Sequence, residues 1–229
     1  MIVSLTHQRR PLISASVWLN EECQHSADRL MGYTATLMPL LAELCALAED
    51  ARGTTQSHYI VDAEPLSPLQ DSLSQRAGDL QAKIEAWHSN STPGVSFRSS
   101  WKILAQAYAY RSATLLYIFR LFHPPQSSQA GDRMAIGMAH DVLVYTSGPR
   151  EELRMLLWPV FIAACEAVDE DDWSTVLEVF DSICMYRKTA TALRTKNFCV
   201  DRVWKVRDSG MAWDWMKLVE LYPGECLPI

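Results

Sequence analysis

The sequence predicts an all-α protein, one multi-helix bundle of about nine helices, and three observations carry that expectation. Apolar residues recur every three or four positions through most of the chain, the spacing of one helix face. No stretch alternates apolar and polar residues in the way a half-buried strand requires. Gly, Pro and polar capping residues fall between the periodic segments, where helices stop and start. With 229 residues, 48 % hydrophobic and 21 % charged, the chain has enough apolar surface for a sizeable core and does not have a disordered composition.

The elements follow in order. Asn20 is suited to cap a short helix over 21–31, closed by Gly32. Over 34–52, Leu37, Leu40, Leu41, Leu44, Leu47 and Ala48 share a face, and Gly53 is expected to end the helix. After a polar connector, Ser67-Pro68 opens a helix with Leu69, Leu73, Ala77, Leu80, Ile84 and Trp87 at helical spacing. The segment 100–122 carries two apolar stripes and should be buried on more than one side until Pro124-Pro125 stops it. Helices are then expected over 132–145, over 151–168 with a bend at Pro159, from the acidic run 169–172 onward, over 188–208, and over 213–222.

Charge and composition narrow the function classes. A net charge of -6 repels phosphate, so direct nucleic-acid contact by this chain is not expected. The longest apolar stretches are broken by charge before they could span a bilayer, and the first residues lack the order of a secretory signal, which reads as an intracellular protein. The six cysteines, at 23, 45, 165, 184, 199 and 226, show no zinc-ligand spacing and read as buried free thiols. No phosphate-binding glycine loop, nucleophile elbow or His-Glu metal motif occurs, so no catalytic residue, cofactor or metal is expected. The tryptophans at 158, 173, 204, 213 and 215 read as core filler or as the wall of an apolar pocket.

Arg111 interrupts an apolar stripe, and Glu166 ends another. Arg111 and Glu166 would be costly to bury alone, so they are expected to tie helices together, with each other or with nearby polar groups. If the helical interior instead served an enzyme, Tyr108, Arg111 and His140 would be its polar candidates.

Four stretches resemble the fungal-specific transcription factor domain, the helical region that follows a zinc-cluster DNA-binding head. They are DRLMGYTATLMPLLAELCALAED at 28–50, AYAYRSATLLYIFRLF at 107–122, LLWPVFIAACEA at 156–167 and VDRVWKVRDSGMAWDWMKLVE at 200–220. The third contains the Leu-Trp-Pro and Cys-Glu-Ala elements of that family. The resemblance implies an all-α regulatory domain over 20–229 behind a tail at 1–19, a nuclear or else cytoplasmic setting, and control of transcription, as of a metabolic gene cluster. It also implies protein partners in the transcription machinery or a DNA-binding subunit, since the six-cysteine head is not in this chain, and by analogy with sterol-sensing relatives a small apolar ligand. A homodimer, or an accessory protein or enzyme of secondary metabolism reusing the helical interior, is the alternative.

Overall fold

A computed structural model describes residues 1–13, 17, 19, 36–58, 68–89, 97–146 and 153–226. Among them the chain forms nine α-helices and no strand. These are α1 (Ile2–Thr6), α2 (Met38–His58), α3 (Pro68–Ala86), α4 (Phe97–Phe122), α5 (Gln129–Val144), α6 (Leu157–Glu166), α7 (Glu170–Arg187), α8 and α9 (Trp215–Leu221). Helix α8 is continuous but not uniform: it is α-helical over Ala190–Phe198, π-helical over Cys199–Trp204 and α-helical again over Lys205–Asp208. The helix expected over 21–31, its Asn20 and Gly32 ends and the Ser67 cap lie outside the described residues.

Helix α6 organises the rest. Every one of its ten residues is buried, as the unbroken apolar run before Glu166 requires. It is enclosed by α4, α5, α7 and the π-helical stretch of α8. Pro159 does not bend it. The helix begins at Leu157, so Pro159 falls in the first turn, where the missing N–H would have had no helical partner. At the other end, two indoles satisfy carbonyls that the helix leaves free: Trp204 Nε1 donates to Ala164 O at 2.7 Å and Trp173 Nε1 to Ala167 O at 2.8 Å.

Around this axis, α4 runs about 39 Å at helical rise and packs against α2, α3, α5 and α6. Its Ala107, Ala109, Ala113, Leu116, Tyr117 and Ile118 are buried. Helices α2 and α3 form an antiparallel hairpin whose facing residues include Leu41, Leu44 and Ala48 against Leu73, Ala77 and Leu80. Gly53 does not end α2, which continues to His58. A glycine inside a helix costs only about 1 kcal/mol, and the packing of α2 on α3 and α4 outweighs that.

The first residues are not a tail. Leu5 is completely buried, and its carbonyl accepts a hydrogen bond from the buried Tyr117 hydroxyl at 2.7 Å. Cys45 Sγ donates to Met1 O, Arg52 Nη1 to His7 O, and Gln8 Nε2 reaches Met216 Sδ in α9. Arg10 pairs with Asp50, which Arg76 of α3 also grips, at 2.8 and 2.9 Å. A short apolar run with no amphipathic neighbour gave no sign of this, because the helix has only five residues and the contacts come from α2, α4 and α9.

The described cysteines are all free, and Cys45, Cys165, Cys199 and Cys226 are buried. Burial pushes the Cys45 thiol up to about 12 and those of Cys165 and Cys226 well above the ordinary range. Such thiols pack as small apolar groups and are poor nucleophiles.

Tyr117→Phe tests the docking of α1. Leaving Leu5 O without its donor should cost about 1–3 kcal/mol, read as a loss of several degrees in Tm by scanning calorimetry, with the helical circular-dichroism signal unchanged at 20 °C. An unchanged Tm would mean that the Tyr117–Leu5 hydrogen bond contributes nothing net to the docking of α1.

Candidate functional site

The last residue of α6 sets the electrostatic problem of the core. Glu166 is wholly buried and lies at a helix C-terminus, where the macrodipole opposes negative charge. Arg120 of α4, also wholly buried, answers it with two parallel bonds: Nε to Oε1 at 2.9 Å and Nη2 to Oε2 at 2.6 Å. Trp215 Nε1 of α9 donates to the same Oε1 at 3.0 Å. The remaining reach of Arg120 goes to the α4–α5 turn, with Nη1 bonded to Asp132 Oδ1 at 2.8 Å and to His123 O at 3.1 Å. Asp132 in turn accepts from the Gln126 backbone N–H. One guanidinium thus joins α4, α5, α6 and, through Glu166, α9.

Burial pushes the Glu166 carboxyl above its usual range, while the Arg120 fork and the Trp215 N–H pull the other way. For Arg120 burial disfavours the charge, but the bonds to Glu166 and Asp132 outweigh it and its pKa is raised. The guanidinium stays charged, so Glu166 is best satisfied as its carboxylate.

The other residues singled out from sequence do not converge. Arg111 is not the partner of Glu166. Its guanidinium donates from Nε to Ile84 O at 2.9 Å, which also accepts from Trp87 N–H, and from Nη2 to Glu85 O, so it caps the C-terminal end of α3. Tyr108, one turn away, stacks on Tyr145 with centroids 5.8 Å apart and meets Trp87 edge-on at 6.4 Å. His140 is on α5, exposed, with Nδ1 3.4 Å from Asp172 Oδ1 of α7. Among the described residues, Tyr108, Arg111 and His140 each have their own partners and share none.

A concave surface does open nearby. A groove of about 660 Å³ runs between the α2–α3 hairpin and the C-terminal end of α4. Leu73, Ala77, Ile118, Phe119 and Phe122 make its apolar floor, and Gln70, Ser74, Gln81 and Thr54 place polar groups along it. Its end wall is His123-Pro124. That wall is the turn whose carbonyl Arg120 holds, so the groove and the buried ion pair share one piece of backbone. Among the described residues no cluster of side chains has the geometry of a metal site, and no helix is long and apolar enough to cross a membrane.

The ion pair predicts a distinctive mutational pattern. Arg120→Met and Glu166→Leu should each cost about 3–5 kcal/mol, because each leaves the other charge buried and unpaired. The double substitution should cost clearly less than the sum, and a cycle of urea unfolding on the four proteins would give a coupling energy of at least ~1 kcal/mol. Additive losses would show that the two side chains do not depend on one another.

No curated protein and no solved structure matches this chain. A family model described as the fungal specific transcription factor domain matches residues 1–224, nearly the whole length. The match takes in α1, the groove, both partners of the buried ion pair and α9. The chain therefore belongs to the fungal specific transcription factor domain family, and its role lies in the regulation of transcription.

Proposed function

We propose that this chain is a ligand-responsive regulatory domain, acting in the nucleus through contacts with protein partners, and that a small apolar molecule bound in the α2–α3–α4 groove sets its state. The carrying observation is the joint between groove and core. Phe119, Phe122, His123 and Pro124 line the groove, and the His123 carbonyl is fixed by the same guanidinium that neutralises Glu166. An occupant that presses on the turn has to act on Arg120, and through it on α6 and on Trp215 of α9. The volume lies in the range of small-molecule sites, roughly 300–1,000 Å³, and the mixture of an apolar floor with a few polar groups is their usual chemistry. Ligand control of this kind requires only that the two arrangements of the turn differ in affinity for the occupant. Binding at the groove leaves DNA contact to a partner, in keeping with the net charge of -6.

Gly78 provides the test. It lines the groove in mid-α3, and a Cβ added there meets nothing within 4 Å. Gly78→Phe therefore introduces a ring at the groove from a backbone position with room for its Cβ, and it improves the helix by roughly 0.5 kcal/mol. The neutral dye Nile red should bind the wild-type chain saturably and lose at least tenfold in affinity in Gly78→Phe, with circular dichroism unchanged. Saturable binding that the substitution leaves untouched would place the dye elsewhere and remove the groove from the reading.

A further inference from the structure

We infer that Arg207 forms a second, anion-accepting site, separate from the groove, suited to the carboxylate of a planar monocarboxylic acid. Arg207 is in the last turn of α8, just beyond the π-helical stretch. Its side chain is only 11 % exposed, and both Nη1 and Nη2 are buried with no hydrogen-bond acceptor. A guanidinium cannot shed its proton to relieve this, so a buried one demands an acceptor.

The carboxylates at hand do not supply one. Glu166 is close enough to be felt electrostatically, but its Oε1 already receives Arg120 Nε and Trp215 Nε1 and its Oε2 receives Arg120 Nη2. Asp208 stands 3.8 Å from Nε, is more than half exposed and does not face the Nη pair within bonding distance. Of the two buried guanidiniums, Arg120 alone is bonded to the fully buried carboxylate. What surrounds Arg207 is aromatic: its Cζ is 5.7 Å from the Trp173 ring centroid and 5.4 Å from that of Trp213. Trp173 is itself stacked on Trp204, at 5.3 Å, and Trp204 is fixed to α6.

This surrounding selects the ligand class. Two parallel Nη donors match a carboxylate bidentately. The indole walls accept a flat apolar body extending from it. Glu166 and Asp208 nearby disfavour a dianion, so a monoanion is preferred over phosphate. The way in is the turn 209–214, which carries Trp213, passes through Gly210 at φ +73° and exposes Met211. Ser209, Gly210 and Met211 N–H bond back to the Lys205, Arg207 and Val206 carbonyls, so α8 stays wound if the opening is confined to 212–214.

Benzoate is the probe, with its neutral isostere benzamide as control, and intrinsic tryptophan fluorescence is the readout. Benzoate should change the emission saturably, with half-saturation below ~10 mM at constant ionic strength, a Kd within reach of one bidentate pair, and benzamide should not. Arg207→Gln should weaken benzoate at least tenfold. Arg207→Lys, which keeps the charge but loses the fork, should weaken it as well and guards against a folding defect, checked by unchanged circular dichroism. Gly78→Phe should leave benzoate binding intact, which separates this site from the groove. No saturable change up to 50 mM benzoate (about five times that ceiling), an equal response to benzamide, or a response that survives both Arg207 substitutions would overturn the inference.

Discussion

A carboxylate at the wrong end of a buried helix is the constraint on which the remainder of this fold depends. Glu166 is sealed from solvent and faces an unfavourable dipole, so its charge must be met from outside α6. Arg120 and Trp215 meet it from two different helices, which fixes α4 and α9 relative to α6 far more narrowly than apolar contact would. A hydrophobic pair of equal volume could be as stable. What the ion pair adds is direction: two guanidinium bonds with lengths and angles to satisfy, and a third nitrogen left to hold the α4–α5 turn.

The aromatic residues complete this arrangement. Trp213 lies beside both buried arginines, 5.6 Å from the Arg120 carbon and 5.4 Å from that of Arg207. Tyr117, Trp215 and Phe161 form a connected group, with centroids 6.0 and 5.7 Å apart at their contacts. The C-terminal third of the chain is therefore coupled to the centre through rings and N–H donors as well as through aliphatic packing. A regulatory domain benefits from that: polar directional contacts have alternative arrangements separated by discrete steps, as bistable elements need.

How much of this was readable in the residues differs by element. The periodic helices were legible because each buries a stripe, and α6 was legible because it is apolar on all sides. The need for a partner at Glu166 was legible too, since an acid closing an apolar run cannot stand alone. Which arginine served was not. Arg111 and Arg120 are nine residues apart on α4, which places them roughly 180° out of phase. Only one of them can face α6, and nothing local says which face of α4 does so. The clue was Arg120 itself, a charge within the run Tyr117–Phe122. The pairing at α1 and the groove were beyond reach for the same reason: both are made by segments far apart in the chain, whose meeting is decided by tertiary packing.

The π-helical stretch in α8 has a consequence for how the chain can vary. A π turn holds one more residue than the α turn it replaces. Removing a residue between Cys199 and Trp204 would yield a more regular helix, but everything after it would swing about 100° around the axis. The Trp204 indole would leave Ala164, and Arg207 would leave its two flanking rings. The irregularity is what sets the phase of the last turn, so length in this stretch should be far less free to drift than residue identity on its outer face.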